Sequence, residues 1–202
     1  MKSSFTSDLK KEKKLSLLMD VYYQNHLNHY NTKRVFDMKN QMAGVDVVFT
    51  HKQTKNRFYI DEKAQLDYIN DDLPTFAFEL AYNKNGTYKE GWLFDINKKT
   101  DFYALATAIY EDEPSVFTTC KITLVNRKKL CTFLEHRNVT KSSLEKYSKK
   151  TTEKHGKLKL NELHHRTEGY LYFSRNNKVE KPINLILKLD FLVGQGIAKR
   201  LV

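Results

Sequence analysis

Two neighbouring segments of β character constrain the fold of this chain more than any other feature. Val45–Thr50 (VDVVFT) and Arg57–Ala64 (RFYIDEKA) are rich in β-branched and aromatic residues, and six polar residues separate them. So short a connection joins two antiparallel strands into a hairpin. Several registers satisfy this connection, and the symmetric one places Asp46 opposite Asp61.

A long helix is predicted before the hairpin, and further strands are predicted after it. Between Asp8 and Tyr30, apolar residues recur at helical spacing and form one face. Short helices are predicted over 128–135, from residue 142 and over 191–202. The other predicted strands are Arg34–Met38, Thr75–Leu80, Gly91–Phe94, Phe102–Tyr110, Lys121–Val125, Gly169–Ser174 and Ile183–Leu187. This order of elements predicts an α/β chain with a mixed sheet.

Length and composition predict a single domain over residues 1–202. Hydrophobic residues make up 40% of the chain, which is enough for a core, and no linker is evident. A basic segment around 136–161 is predicted to be mobile. No apolar run is long enough to cross a membrane, and the first 14 residues lack a signal-peptide pattern, so a cytoplasmic location is expected.

The positive charge of the chain is concentrated in one window. The net charge is +11, and residues 121–160 contain 12 Lys and Arg but three acids, a surplus of +9. Such a segment attracts polyanions, of which nucleic acid is the most common. A solvated, Lys-rich surface is the alternative. The candidate nucleic-acid contacts are Arg127, Lys128, Lys129, Lys149, Lys150 and Lys154.

Acidic residues converge at the predicted hairpin. Asp61 and Lys63 are two residues apart in a strand and therefore project from the same face. Carboxylates that are brought together repel one another unless a cation lies between them. Asp46 and Asp61 therefore predict a Mg²⁺ site, and Lys63 could orient a water molecule or stabilise developing charge. An ion pair between Asp46 and Lys63, or an ordinary charged strand end, is the structural alternative.

These residues and their spacing resemble the motif of the PD-(D/E)XK, or restriction-endonuclease-like, nuclease superfamily. The matching positions are Gly44-Val45-Asp46, a hairpin, and then Asp61-Glu62-Lys63. The resemblance implies a mixed central sheet flanked by helices. It also implies that Asp46 and Asp61 bind the metal with the backbone carbonyl of Glu62, and that Lys63 assists the attacking water.

The same resemblance implies that further acids lie near the metal. The superfamily often adds an acidic residue from its first helix, and Glu12 is our first choice because it shares the apolar face. Asp20 is the second choice. Glu79, in the predicted strand Thr75–Leu80, is a tentative additional ligand or else the partner of a basic residue.

The sequence therefore predicts a Mg²⁺-dependent DNA endonuclease, with Mn²⁺ as an alternative metal. DNA is the expected partner, and a homodimer is an assembly that the resemblance suggests. One alternative is a nucleic-acid-binding protein of the same fold without catalytic activity. Another is an interaction or inhibitor module whose basic surface binds an acidic protein.

Overall fold

The computed structural model describes residues 5–84, 86–150, 155–175 and 180–202. Its helices and strands confirm the α/β class. The chain divides into two compact units, a finer division than the single domain that the sequence predicted. Unit 1 comprises Met1–Leu73, Lys99–Asn126 and Ala198–Val202, and unit 2 comprises Pro74–Lys98 and Arg127–Ile197. Within the described ranges, every helix is too short or too polar to cross a bilayer.

Five helices and eleven strands follow one another along the described chain. In order they are α1 (Phe5–His26), β1 (Tyr30–Arg34), α2 (Met38–Met42), β2 (Val47–His51), β3 (Arg57–Ala64), a 3₁₀ turn (Leu66–Tyr68), β4 (Thr75–Lys84), β5 (Thr87–Glu90), β6 (Phe102–Glu113), β7 (Val116–Asn126), α3 (Arg127–His136), α4 (Lys141–Lys150), β8 (Gly156–Leu158), β9 (Gly169–Phe173), β10 (Ile183–Lys188), α5 (Leu189–Gly194) and β11 (Ala198–Arg200).

A six-stranded mixed sheet forms the centre of unit 1. Its strand order is β1-β2-β3-β6-β7-β11, and only β3 and β6 run parallel. The predicted hairpin is β2–β3, in which Val47 lies opposite Ile60. The ladder runs from Thr50 opposite Arg57 to Val47 opposite Ile60, which confirms the symmetric register over these four pairs. Asp46 directly precedes the ladder, and its N–H donates to the Ile60 carbonyl at 2.8 Å.

Helix α1 packs on one face of this sheet. Leu15, Met19 and Tyr23 recur every four residues, so they lie on one side of the helix, and all three are buried. They share a core with residues of the sheet such as Phe49 and Ile60. Burying a side chain of this size contributes about 1.5–3 kcal/mol, which fixes the helix against the hairpin.

Unit 2 contains a five-stranded antiparallel sheet with strand order β5-β4-β10-β9-β8. Alternate residues of β9 and β10 are buried, as expected for strands with one face towards a core. Helix α3 buries Leu130 and Leu134, which are one turn apart. The strands predicted at Thr75–Leu80, Gly169–Ser174 and Ile183–Leu187 are confirmed as parts of this sheet.

Two strand predictions near turns are wrong. The first strand is Tyr30–Arg34, whereas the sequence predicted a strand over Arg34–Met38. The strand ends at Arg34 because Asp37 accepts a hydrogen bond from the Asn40 N–H and thereby caps α2. Residues 91–94 form a turn, although the Gly91 N–H donates to the Leu80 carbonyl at 2.8 Å.

The end of the chain also differs from its prediction. In place of a helix over 191–202, α5 ends at Gly194, and Gly196 with φ of 65° turns the chain into β11, which pairs with β7. Helix α4 extends to Lys150 and β8 begins at Gly156, within the segment predicted to be mobile. Residues 151–154 lie outside the described part of the chain.

Candidate active site

The approach of the chain to Asp46 depends on Gly44. This glycine is buried and has φ of 74°, a left-handed conformation that costs little only without a Cβ atom. Its carbonyl accepts a hydrogen bond of 2.8 Å from Oγ1 of Thr100, which is also buried. The turn that starts β2 is therefore fixed from both the backbone and a neighbouring side chain.

Asp46 is held by hydrogen bonds along its backbone and at its carboxylate. Its carbonyl accepts from the Val35 N–H at 2.8 Å, and its Oδ2 accepts from the Glu62 N–H at 2.8 Å. Burial raises the pKa of the Asp46 carboxyl to about 7, and repulsion from Asp61 adds to this effect, whereas Lys63 opposes it. Asp46 is therefore a carboxylate that a nearby cation would stabilise.

Asp61 is more deeply buried than Asp46. It is 2% exposed, and its Oδ1 forms an ion pair with Nζ of Lys63 from the same face of β3. Its Oδ2 is buried without a hydrogen-bond partner among the described residues. A buried carboxylate oxygen without a partner is costly, and a water molecule or an ion at this atom would offset that cost.

The side chain of Glu62 points to the face of β3 opposite that of Asp61 and Lys63, so its carboxylate is not part of the candidate site. Its carboxylate accepts from Nη1 of Arg34 at 2.7 Å and from the Tyr23 hydroxyl at 2.8 Å. Arg34 also donates from Nε to Asp20 at 2.7 Å. This network ties the middle residue of the motif to α1 and β1.

Glu12, the helical acid predicted near the metal, lies in the first half of α1. Glu12 is exposed, whereas the buried stripe of α1 begins one turn later at Leu15, so the turn with Glu12 precedes the part of the helix that the sheet covers. Asp20, the second choice, is bound to Arg34. Among the described residues, neither acid joins Asp46 and Asp61 in a group of three that could hold a metal ion.

Glu79, the tentative additional ligand, lies in β4 of unit 2 and is half-buried. Among the described residues, no group of three or more His, Cys, Asp or Glu side chains could hold a metal ion. The ligands that the motif resemblance implies at the hairpin are two carboxylates, Asp46 and Asp61, together with the Glu62 carbonyl.

This donor set fits Mg²⁺ by its chemistry. Mg²⁺ prefers hard oxygen ligands, keeps several of its waters and is often held by only one or two carboxylates together with substrate phosphate. The oxygen of Asp61 that has no hydrogen-bond partner in the described structure, and the raised pKa of Asp46, are both consistent with a site that accepts a cation.

The candidate nucleic-acid contacts have unequal surroundings in unit 2. Arg127 is half-buried and donates from Nη2 to the Asp95 carbonyl at 2.7 Å, which indicates a structural role. Lys128 is exposed, and Lys129 donates to the Gly196 carbonyl at 3.1 Å. The side chains of Lys149 and Lys150, and the whole of Lys154, lie outside the described residues.

Arg34 and Tyr23 are the residues near the motif that sequence reasoning missed. The signal for Arg34 was Asp20, because an acid at the edge of an apolar helix face requires a partner. Tyr23 was recognised as part of the apolar face of α1, but that pattern does not indicate that its hydroxyl donates a hydrogen bond to Glu62.

Comparison of the chain with protein-family models, with curated proteins and with solved structures finds no match. The functional argument therefore depends on the geometry of the hairpin, the charge of the chain and the resemblance of its motif.

Proposed function

We propose that this protein is a Mg²⁺-dependent DNA endonuclease of the PD-(D/E)XK type. The observation that carries the proposal is the convergence of Asp46, Asp61 and Lys63 on one hairpin, with one buried Asp61 oxygen that has no hydrogen-bond partner in the described structure. The mixed sheet of unit 1, with α1 packed on one face, supports a restriction-endonuclease-like fold.

In this proposal Asp46, Asp61 and the Glu62 carbonyl hold the metal. Bound Mg²⁺ supplies the polarisation of a phosphoryl oxygen and the lowered pKa of a coordinated water. Asp46 contributes an oxygen whose orientation is set by the Glu62 N–H. Lys63 lies beside Asp61, where its ammonium group can orient the attacking water and donate to charge that develops on the phosphate.

The distribution of charge supports nucleic acid as the substrate. Unit 2 contains 19 Lys and Arg and 10 acids, a net charge of +9, whereas unit 1 contains 16 and 14, a net charge of +2. The surplus of cations is thus in the unit without the paired carboxylates. A surplus of this size attracts the phosphate backbone of nucleic acid.

The test is cleavage of supercoiled plasmid and labelled linear DNA with Mg²⁺, and again with EDTA. The wild-type protein should cut only with the metal. Asp61→Asn and Lys63→Ala should each reduce the rate at least a hundredfold while DNA binding in EDTA stays within about twofold, since they alter the reacting site. Cleavage at the wild-type rate by the double variant would show that the assignment is wrong.

A second candidate is a nucleic-acid-binding protein without catalysis. The ion pair between Lys63 and Asp61 favours it, because an ammonium group can compensate a buried carboxylate without a metal. Titration calorimetry with Mg²⁺ and Mn²⁺ separates the two candidates. Heat of binding that disappears in Asp46→Asn and Asp61→Asn supports the nuclease, and its absence in the wild-type protein supports the second candidate.

A further inference from the structure

A cluster of basic residues lies in unit 2, on β8 and the segment between β8 and β9. We call it the β8–β9 cluster and define it as Lys157, Lys159, His165 and Arg166. Nζ of Lys157 donates to the His165 carbonyl at 3.3 Å, which brings the strand and the segment together. Burial lowers the pKa of His165, and the nearby charges of Lys159, Lys157 and Arg166 lower it further, as expected where several cations are close.

The acids of the same segment are already engaged. Glu168 accepts from Nη2 of Arg137 at 2.9 Å and from the His164 N–H at 2.8 Å. Glu162 accepts from the Tyr147 hydroxyl at 3.2 Å. Among the described residues, Lys157, Lys159 and Arg166 form no ion pair, so the three positive charges of the cluster are not paired with an acid there.

Two tyrosine side chains of β9 lie next to Lys157 of the cluster. Nζ of Lys157 lies 3.9 Å from the centroid of the Tyr170 ring, and Lys157 is paired with Tyr172 across the β8–β9 ladder. A Cβ atom on Gly169 would lie 2.5 Å from the Ile186 carbonyl oxygen, so β9 begins in close contact with β10. Lys157 therefore projects from a strand pair that continues the five-stranded sheet.

We propose that the β8–β9 cluster is a binding surface for the phosphodiester backbone of DNA. Lys157, Lys159 and Arg166 would each contact phosphate oxygens, and Tyr170 and Tyr172 would provide the apolar surface beneath them. Lys157 and Lys159 lie in the basic window 121–160, at positions other than the candidate contacts at 127–129 and 149–154, and Arg166 lies beyond that window. The choice of DNA rests on the proposed function, whereas the contact with a polyanionic backbone rests on the geometry of the cluster.

The experiment compares two variants that each lose three positive charges. The cluster variant is Lys157→Gln/Lys159→Gln/Arg166→Gln. The control variant is Lys13→Gln/Lys14→Gln/Arg57→Gln, which removes two lysines and one arginine from exposed positions of unit 1. Binding of a fluorescent duplex and a fluorescent single strand is measured by anisotropy in EDTA over a range of salt concentrations.

The cluster variant should bind at least tenfold more weakly than the wild-type protein at about 0.1 M salt. The slope of the logarithm of affinity against the logarithm of salt concentration should fall by about 2–3, because each lost phosphate contact removes about 0.7–0.9. The control variant should lose less than threefold. Equal losses in the two variants, or wild-type affinity in the cluster variant, would overturn the proposal.

Two further measurements make the result specific. A charge-preserving variant, Lys157→Arg/Lys159→Arg/Arg166→Lys, should regain affinity to within about threefold, because phosphate contact depends on charge at these positions. Polyglutamate should compete poorly with DNA. Competition as strong as that of unlabelled DNA, at equal charge, would assign the cluster to acidic proteins and overturn the proposal. Thermal melting of each variant verifies folding.

These outcomes are distinguishable from those that test the nuclease. If the plasmid is not cut but only the cluster variant loses affinity, the binding surface is correct and the catalytic proposal fails. If the plasmid is cut and the cluster and control variants bind alike, the catalytic proposal stands and the binding surface is wrong.

Discussion

The backbone N–H of Glu62 donates a hydrogen bond of 2.8 Å to Oδ2 of Asp46, and this bond joins the two strands of the candidate site. Asp46 directly precedes β2, and Glu62 lies between Asp61 and Lys63 in β3. Because the donor is a backbone group, its position is fixed by the sheet and does not depend on the Glu62 side chain. The orientation of the Asp46 carboxylate is thus determined by the register of the hairpin.

Asp46 should make the stability of the metal-free protein depend on pH. Its pKa is about 7 in the folded protein, against an ordinary value of 3.8. The folded state therefore binds more protons than the unfolded state between these values, and stability falls as pH rises through this window. Asp46→Asn removes the ionisation and should flatten the profile, so that the variant is the more stable protein at about pH 8.

The measurement is urea denaturation in EDTA at a series of pH values between about 4 and 8. Asp112→Asn, which alters an exposed acid of the same unit, is the control and should leave the shape of the wild-type profile unchanged. A wild-type stability that rises from pH 4 to pH 8, together with an unaltered profile for Asp46→Asn, would contradict this prediction.

Added Mg²⁺ should stabilise the folded protein, because a ligand that binds only the folded state shifts the unfolding equilibrium. The gain in melting temperature should be larger at about pH 8 than at about pH 6, since protons compete with the metal for Asp46. Scanning calorimetry is carried out with Mg²⁺ and, separately, with K⁺ at the same concentration of positive charge. The difference between the two melting temperatures measures the stabilisation that is specific to Mg²⁺. Asp61→Asn should abolish the gain, and a gain that persists in this variant would place the metal elsewhere.

Arg34 should be essential for stability because it compensates two acids that are largely removed from water. The side chains of Arg34 and Glu62 are only 16% and 13% exposed, and Asp20 shares the same guanidinium group. Arg34→Ala leaves Glu62 without its cation and should cost about 3–5 kcal/mol in the free energy of unfolding. Arg34→Lys should cost less, because it keeps the charge and loses the fork geometry.

The matched control is the ion pair of Lys121 with Asp72, whose side chains are 44% and 46% exposed. Lys121→Ala should cost less than about 1 kcal/mol, because water screens an exposed pair. Both values come from urea denaturation. If the two variants lose equal stability, the network of Arg34 is no more important than a surface ion pair.

The parts of the site that the sequence predicted are those fixed by local pattern. Asp61 and Lys63 share a face because strands have a period of two residues, and a short connection restricts the register that brings Asp46 next to β3. The exposure of Glu12 has a different cause. Helical spacing predicts which face of α1 is buried, but it does not predict where along the axis the sheet begins to cover that face.

Long-range pairing accounts for the main error in the fold. Strand β11 has three residues, too few for a recognisable pattern, and it becomes a strand by pairing with β7. The apolar residues before it, among them Leu192 and Ile197, are buried and suggested that the preceding helix continues. The turn at Gly196 ends that helix, and only the tertiary structure supplies the partner strand.

Gly44 should be required for both stability and metal response. Its φ of 74° is unfavourable for any residue with a Cβ atom, so Gly44→Ala should destabilise the protein by about 1–2 kcal/mol. The strain acts on the turn that precedes Asp46, and the stabilisation by Mg²⁺ should therefore also decrease.

Gly194→Ala is the contrasting change, because a Cβ atom at the end of α5 would meet nothing within 4 Å. It should be neutral or stabilise the protein by up to about 1 kcal/mol and leave the metal response intact. Equal behaviour of the two alanine variants, in urea denaturation and in the Mg²⁺-dependent melting shift, would show that the turn at Gly44 has no part in positioning Asp46.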